Sequence, residues 1–429
     1  MKRLIKGGRI INPADNTNMV GDILIENDQI VEIGENLRCE GAEVFQADGL
    51  IVAPGFIDMH THLREPGLEA KEDIASGTRA AAAGGFTTIA CMANTKPVID
   101  SAILVVGVNR RAQEIGVVHV KPIGAVSKGL AGQELAEIGD MIAAGAVAFS
   151  DDGKYISNSQ LLRTAMEYIS IFDGLLISHA EDETLVEDGV MHEGSVSAML
   201  GMKGRPAVAE DIAVARDLLM AEYVGARIHI AHVSTKGAVE LIRKAKERGV
   251  RVTAETTPHH LYFTDEALTG FNTAFKVNPP LRSAEHVAAV REGLRDGTID
   301  VIATDHAPHA FEEKDVEFRY APSGFPGLET ALGVILTTLY HSGFMSLQDL
   351  VARMSSAPAR ILGLEAGTLQ VGHPADIVIF DPDQEWQVDP QNFWTKARHS
   401  PFEGVKLKGK AIATIVAGKF VMCNGEVLQ

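Results

Sequence analysis

The chain has 429 residues, 46% of them apolar, and a net charge of -18 at pH 7. Because nucleic acids and anionic membranes bind basic surfaces, this acidic composition argues against both as partners. The sequence has no run of about 20 uncharged apolar residues and no signal-peptide pattern, so we expect no membrane span and a cytoplasmic location. Three widely spaced cysteines, Cys39, Cys91 and Cys423, are typical of a reducing compartment rather than of a disulfide framework.

Both ends of the chain have the pattern of short β-strands. Alternating apolar and polar residues separated by turn residues predict strands near the start, at 4–11, 21–26 and 29–33, and near the end, at 376–381, 404–408 and 413–421. Chain ends often lie close together in a folded protein. We therefore predict a small β-sandwich domain formed by both ends, residues 1–52 and 367–429.

The middle of the chain, residues 53–366, alternates short apolar runs with stretches that favour helices. The predicted helices include 71–83, 160–172, 210–223 and 237–247. The apolar runs number eight and lie at 52–57, 85–92, 117–126, 146–149, 174–178, 227–231, 251–255 and 300–303. Eight strands that alternate with helices predict a parallel sheet closed into a (β/α)8 barrel. An open doubly wound sheet is the alternative, but no Gly-x-Gly-x-x-Gly motif follows the first strand.

The first apolar run leads into His60-Thr61-His62-Leu63-Arg64. Side chains alternate along a strand, so His60, His62 and Arg64 point the same way. Two neutral nitrogen donors followed by a cation indicate a metal site beside an anion site. The pair alone is also compatible with two unrelated histidines that lie two residues apart by chance. The residues at the other strand ends distinguish this alternative from a metal site.

Other residues able to do chemistry also follow the apolar runs. They are Asn94 after the second run, Asp151 and Asp152 after the fourth, His179 after the fifth, His232 after the sixth, and Asp305 and His309 after the eighth. In a barrel these strand ends form one rim, which is where active sites lie. Nitrogen and carboxylate ligands without a nearby thiolate suit Zn²⁺, with Mn²⁺, Co²⁺ or Fe²⁺ as alternatives. Four histidines and two aspartates exceed the ligands of one open zinc site, so we predict two metals that share a hydroxide.

These residues carry a resemblance to a known family. The strand-end histidines and Asp305 resemble the metal ligands of the amidohydrolase superfamily. Within it, six motifs resemble the longer, type I class of dihydroorotases, at 62–67 (HLREPG), 92–95 (MANT), 150–153 (SDDG), 232–235 (HVST), 278–282 (NPPLR) and 303–309 (ATDHAPH). The resemblance covers nearly the whole chain. It implies the reversible cyclisation of N-carbamoyl-L-aspartate to L-dihydroorotate in pyrimidine biosynthesis.

The resemblance also implies a metal ligand set. It assigns two Zn²⁺ ions per subunit, held by His60 and His62, by His179 and His232, by Asp152 as the bridge, and by Asp305. Asp305 would ligate the first metal and shuttle the proton while the bridging hydroxide attacks the ring amide. Asp151 is the alternative bridge if the register differs by one residue.

Substrate binding follows from the same comparison. Arg64 would bind the substrate carboxylate as a fork, completed by Asn94 and His309, with His62 also in contact. Asn278 would hydrogen-bond the ring amide or urea edge, although Asn before Pro is also a common turn former. Backbone groups of Ser323 and Gly324 would touch the ring, but the family commonly has a larger residue at position 323.

Two other functions are compatible with parts of this pattern. A cyclic amidase of the hydantoinase or allantoinase type is disfavoured by Arg64 and Asn94, and by the absence of a bridging lysine at the end of the fourth strand. Lys154 lies just beyond that strand and is expected in solvent. The second alternative is an inactive scaffold that supports a transcarbamoylase. The resemblance allows a homodimer and association with aspartate transcarbamoylase, and the charged segment 310–323 is a candidate for a mobile loop over the site.

Overall fold

The computed structural model describes residues 1–428, and its first five strands come from the start of the chain. They are β1 (Lys2–Asn12), β2 (Thr17–Glu26), β3 (Gln29–Gly34), β4 (Glu43–Gln46) and β5 (Ile51–Pro54). Within residues 1–428, we find no helix with the length and apolar character needed to cross a bilayer.

Eight parallel strands then form the central barrel. They are β6 (Phe56–Thr61), β7 (Phe86–Cys91), β8 (His119–Gly124), β9 (Ala148–Phe149), β10 (Leu176–Ser178), β13 (Ile228–Ile230), β14 (Val252–Thr256) and β15 (Val301–Ile302), while β11 (Met191–His192) and β12 (Gly204–Arg205) form a separate ribbon. Thr61 makes a parallel bridge to His306, and the His62 N–H donates to the His306 carbonyl at 2.8 Å. This contact returns the last strand to the first, so the predicted (β/α)8 barrel is confirmed.

The helices lie between and after these strands. They are α1 (Ile74–Ala83), α2 (Ala102–Ile115), α3 (Ile138–Ala143), α4 (Ser159–Ser170), α5 (Glu183–Val186), α6 (Ser195–Leu200), α7 (Val208–Val224), α8 (Lys236–Glu247), α9 (Pro258–Tyr262), α10 (Ala284–Asp296), α11 (Phe311–Lys314), α12 (Ala331–Ile335), α13 (Leu347–Met354) and α14 (Ser356–Leu362). One π turn (Leu336–Tyr340) continues α12. The four helices predicted from the sequence are confirmed to within three residues at each end.

Helix α8 shows why these stretches become helices. Its N-cap Thr235 accepts a hydrogen bond from the Ala238 N–H at 3.1 Å, which satisfies one of the free donors of the first turn. Val239 and Ile242 are buried three residues apart on the inner face, while Lys244 is exposed. The apolar stripe of period 3.6 therefore packs on the barrel and the charged face meets solvent.

The last four strands join the first five in one nine-stranded sheet, in the order β19-β18-β17-β16-β5-β1-β2-β3 with β4 beside β1. They are β16 (Ile377–Gln387), β17 (Lys406–Val416), β18 (Lys419–Cys423) and β19 (Glu426–Val427). β4 and β18 are not paired in this sheet, yet Phe45 of β4 and Phe420 of β18 pack with their ring centroids 5.5 Å apart. The contact shows that the sheet curls. Both chain ends thus build one β structure around a shared apolar interior, as predicted.

The run at 52–57, predicted as one strand, is two strands with different partners. Ile51–Pro54 pairs with β1 and β16, whereas Phe56–Thr61 pairs with β7. The break falls at Gly55, where an added Cβ would lie 2.2 Å from the Thr87 side chain. Only glycine permits this close approach. The domain limits at 52 and 366 stay a prediction, and β5 spans the first of them.

The barrel and the terminal sheet share an apolar contact. The Phe56 ring, at the start of β6, lies 5.8 Å from the ring of Phe86 and 6.0 Å from that of Phe380 in β16. All three side chains are fully buried in one cluster that spans both parts. The sheet therefore supports the strand that carries His60 and His62.

Candidate metal and substrate site

The carboxyl ends of the barrel strands surround a cavity of about 280 Å³. Eleven of the twelve site residues predicted from the sequence line it, namely His62, Arg64, Asn94, Asp152, His179, His232, Asn278, Asp305, His309, Ser323 and Gly324. The twelfth, His60, is fully buried next to them. The tertiary structure thus brings together residues that lie up to 264 positions apart, between His60 and Gly324.

One group of metal-capable atoms lies where β6 meets the segment after β15. Asp305 Oδ1 is 3.4 Å from His60 Nε2 and 3.2 Å from His62 Nε2. Candidate ligand atoms of these three residues all lie within 4.8 Å of one another. Histidine nitrogens and a carboxylate oxygen at this spacing suit a single ion between them.

A second group lies beside the first and shares Asp152. His179 Nδ1 is 2.8 Å from His232 Nε2 and 3.5 Å from Asp152 Oδ1. Asp152 Oδ1 is also 3.3 Å from His60 Nε2, and Asp152 Oδ2 is 3.5 Å from His62 Nε2. One carboxylate therefore faces all four imidazoles, which is the position that a bridging ligand would take.

The protonation of His60 tests whether these residues fit a metal. His60 Nδ1 lies 2.6 Å from Glu255 Oε1 and donates a hydrogen bond there, so a neutral His60 presents the Nε2 lone pair. Among residues 1–428, His60 Nε2 and Asp152 Oδ1 have no hydrogen-bond partner although both are buried. In the neutral form of His60 these two buried acceptors face each other at 3.3 Å, and a proton or a metal cation between them would remove the repulsion. The site fits a metal.

The pKa values show the same demand for positive charge. Burial lowers the pKa of His60, but the carboxylates of Asp152, Asp305 and Glu255 outweigh burial and raise it well above its usual range. Burial raises the pKa of Asp152, but His60 and His179 bring it well below the ordinary value. The cluster therefore favours positive charge at this position, which a proton or a bound metal cation can supply.

Glu255, at the end of β14, was missed by the sequence reasoning. Its Oε1 accepts from His60, and its Oε2 lies 3.1 Å from His229 Nε2. Burial would raise its pKa, but His60 and His229 lower the pKa to about 2, so Glu255 is a carboxylate. Such a carboxylate fixes the tautomer and ring orientation of a ligating histidine. The available signal was a carboxylate at the end of the predicted strand 251–255.

Asp151 and Asp152 point in different directions. The Asp151 carboxylate accepts from the backbone N–H groups of Val126 at 2.8 Å and Ser127 at 3.0 Å. It therefore stabilises the turn after β8 and does not face the histidines. Lys154 is exposed in the following loop, as expected.

Arg64, Asn94 and His309 line the same cavity beside the histidines. Arg64 is buried, and its Nε donates to the Pro308 carbonyl at 3.3 Å. Asn94 connects this side to the metal-capable groups, because its Oδ1 lies 2.9 Å from His62 Nδ1. Burial lowers the pKa of Arg64, against the charges of Asp305 and other carboxylates, and a buried guanidinium favours an anionic ligand.

Most backbone groups of Ser323 and Gly324 already have protein partners. The Gly324 N–H donates to the Lys276 carbonyl at 2.9 Å, and its carbonyl accepts from Lys314 Nζ at 2.9 Å. The Ser323 carbonyl lies 2.9 Å from His309 Nε2. Of the four backbone groups predicted to touch the ring, the Ser323 N–H alone has no such contact within residues 1–428.

The segment 310–323, considered as a mobile loop, is anchored by two buried lysines. Lys314 Nζ donates to the Pro322 carbonyl at 2.8 Å, and Lys276 Nζ donates to the Phe318 carbonyl at 2.8 Å. Burial lowers the pKa of Lys314 to about 7 and that of Lys276 to about 8. The segment therefore packs beside the cavity through specific bonds.

Comparison with known proteins agrees with this geometry. A family model described as Dihydro-orotase-like matches residues 49–238, and one described as Amidohydrolase family matches residues 283–422. A dihydroorotase of Pelotomaculum thermopropionicum is 55% identical over 98% of this chain and 99% of that protein. A dihydroorotase of Syntrophus aciditrophicus is 54% identical over the same shares. The chain belongs to the dihydroorotase family.

Solved structures of related enzymes share the dihydroorotase-family fold described above. An L-hydantoinase from Arthrobacter aurescens superposes with a TM-score of 0.91 at 29% identity, covering 100% of this chain and 98% of that one. A dihydropyrimidinase from Brevibacillus agri superposes with a TM-score of 0.85 at 25% identity, covering 100% and 96%. The family resemblance drawn from the sequence is confirmed, and the family and the donor set together imply a metal cofactor.

Proposed function

We propose that the chain catalyses the reversible cyclisation of N-carbamoyl-L-aspartate to L-dihydroorotate, with release of water, in pyrimidine biosynthesis. The observation that carries the proposal is a single cavity with two features. A cluster of four histidines and two aspartates lies beside the buried cation of Arg64. Both reactants bear a carboxylate that takes no part in ring closure, and a buried guanidinium suits it.

His60, His62 and Asp305 would hold one Zn²⁺ ion, and His179 with His232 the other, with Asp152 shared between them. When bound, such ions polarise the reacting carbonyl and make water a stronger acid. Glu255 keeps the lone pair of His60 Nε2 turned toward this centre. Zinc as the metal and two ions per subunit are part of the proposal, supported by the nitrogen and oxygen donors.

Asp305 would move the proton. Burial raises its pKa, but His60 and His62 outweigh burial and keep the pKa well below its usual value, so the resting group is a carboxylate. In ring opening Asp305 takes up the proton that the attacking water loses and passes it to the leaving amide nitrogen. Ring closure uses the same carboxyl in reverse.

Arg64, Asn94 and His309 would hold the unreactive carboxylate. A charge-assisted hydrogen bond contributes roughly 1.5–3 kcal/mol, so Arg64→Ala should raise KM by about 10- to 100-fold and lower kcat much less. Steady-state kinetics in the ring-closing direction measures this split. An unchanged KM would refute the clamp.

The experiment that tests the reaction compares three substrates. Zinc-loaded wild-type protein should turn over L-dihydroorotate with a kcat/KM well above that for hydantoin or allantoin, because those neutral rings cannot use Arg64. The likeness to hydantoinases makes this comparison necessary. A clear preference for hydantoin or allantoin would overturn the assignment.

An inactive scaffold is distinguished by metal content. Wild-type protein that never retains metal, and stays inactive when zinc is supplied, would favour it. A homodimer, association with aspartate transcarbamoylase and a cytoplasmic location stay predictions drawn from the family and the composition.

A further inference from the structure

Arg205 lines the cavity but was not anticipated from the sequence. It lies in β12, on the excursion between β10 and α7. Its Nε donates to the Gly189 carbonyl at 2.6 Å, and its Nη1 donates to Glu181 Oε2 at 2.8 Å and to Asn278 Oδ1. The side chains of Arg205 and Glu181 are 21% and 6% exposed. A largely buried ion pair is weak evidence for stability, and its place beside the cavity points to another role.

The pair determines which way the Asn278 amide faces. Asn278 Oδ1 accepts from the Arg205 guanidinium, and Asn278 Nδ2 donates to Glu181 Oε2 at 3.1 Å. The opposite amide orientation would place an NH₂ group against a guanidinium and a carbonyl against a carboxylate. Both contacts would be repulsive, so the two charged partners select one orientation.

This orientation leaves an N–H group for the cavity. Asn278 Nδ2 has two hydrogens, and the one not given to Glu181 lies toward His179 Nε2, at 3.2 Å. His179 Nδ1 faces Asp152 and His232, so a His179 that uses Nδ1 as a ligand carries its proton on Nε2. Two N–H groups cannot pair with each other. The second Asn278 hydrogen is then available to an acceptor in the cavity.

We propose that Arg205 and Glu181 are positioning residues that fix Asn278 as a hydrogen-bond donor to the carbamoyl carbonyl oxygen of the substrate. That oxygen is an acceptor in both N-carbamoyl-L-aspartate and L-dihydroorotate, and it does not react. The inference rests on the proposed function and deepens it, because it names the substrate atom that Asn278 recognises. Arg205 acts through Asn278, and within residues 1–428 no hydrogen bond joins it to a candidate metal ligand.

The test is a double-mutant cycle of Arg205→Met and Asn278→Ala, with Arg248→Met as a matched control in the exposed pair with Glu222. Each site variant should raise KM for N-carbamoyl-L-aspartate about tenfold, the size of one hydrogen bond of about 1.4 kcal/mol. Their kcat and zinc content should stay within about twofold of wild type. The double variant should be no worse than Asn278→Ala, because both remove the same contact.

Three results would overturn the inference: an unchanged KM in Arg205→Met, additive effects in the double variant, or loss of zinc by Arg205→Met. The last would mean that Arg205 acts through His179. Wild-type protein that neither binds nor turns over L-dihydroorotate would instead refute the proposed function itself.

Two further variants keep the test decisive if Arg205→Met fails to fold, as judged by circular dichroism. Asn278→Asp replaces the donor with an acceptor beside Glu181 and should raise KM more than Asn278→Ala does. Arg205→Lys keeps the charge but cannot serve Gly189, Glu181 and Asn278 with one fork, so its KM should lie between those of wild type and Asn278→Ala. A KM for Asn278→Asp below that of Asn278→Ala, or a KM for Arg205→Lys equal to that of wild type, would contradict the positioning role.

Discussion

At the scale of single residues, the site depends on how each histidine nitrogen is assigned. Glu255 accepts a hydrogen bond from His60 Nδ1–H, so that in the neutral imidazole the Nε2 lone pair faces Asp152 and Asp305. Asn94 Oδ1 fixes His62 in the same way, through His62 Nδ1 at 2.9 Å. Both histidines of β6 therefore point their Nε2 atoms at one position, and their partners hold them there.

Replacing Asp305 by Asn tests its role in proton transfer. The amide keeps an oxygen that can ligate but cannot accept the proton, so kcat should fall by about 10²- to 10⁴-fold. Zinc measured on the purified variant should remain largely bound, because His60, His62 and Asp152 are unchanged. A near-normal kcat would refute the proton-transfer role.

Replacing Glu255 by Gln tests the orientation of His60. Loss of the carboxylate should weaken zinc binding about 10- to 100-fold, since the neutral amide holds the His60 tautomer less firmly. Competition with a coloured chelator measures this affinity without relying on activity. Glu222→Gln, in an exposed ion pair, is the control and should bind zinc like wild type. Equal affinities for the two variants would contradict the role of Glu255.

At the scale of elements, the segment 310–323 is held beside the cavity by amines as well as by the buried ring of Phe318. Lys314 is 5% exposed and donates to the carbonyls of Pro322 and Gly324. Burial lowers its pKa from 10.5 to about 7. A buried amine with a lowered pKa links the anchoring of this segment to pH.

The sign of this linkage can be measured. Between pH 7 and 10.5 the unfolded chain binds more protons at Lys314 than the folded chain does, so the stability that Lys314 contributes rises with pH. Urea unfolding should be measured at pH 7 and pH 9.5. The free energy of unfolding of wild type minus that of Lys314→Met should be larger at pH 9.5 than at pH 7. Lys244→Met, at an exposed position, should show no such change. A difference that shrinks at pH 9.5 would refute the assignment.

At the scale of the whole molecule, the terminal sheet and the barrel share one apolar cluster. Phe380 of β16 packs on Phe56 at the start of the strand that carries the first two histidines. β5 belongs to the sheet and is joined to that strand through Gly55 alone. We infer that the two parts unfold together.

Phe380→Ala tests this coupling. It should lower the free energy of unfolding by about 3–5 kcal/mol, because a large buried side chain leaves a cavity. Both tryptophans, Trp386 and Trp394, lie in the C-terminal part, so fluorescence reports on that part and far-ultraviolet circular dichroism on the helices. The urea transitions from the two probes should coincide in wild type and variant. Phe420→Ala, on a half-buried ring of the same sheet, should cost less. Separate transitions would show that the parts unfold independently.

The sequence by itself determined the barrel, the terminal β structure and twelve candidate site residues. Strand and helix periods are local, and residues such as His60, His62 and Asp305 follow directly after apolar runs, so their shared rim follows from parallel topology alone. Tertiary structure decided what depends on distance between remote segments. It separated Asp152 from Asp151, gave Glu255 its contact with His60 across 195 positions, and brought Arg205 to Asn278 across 73. No local pattern encodes such contacts, because they depend on how separate strands and excursions pack around one cavity.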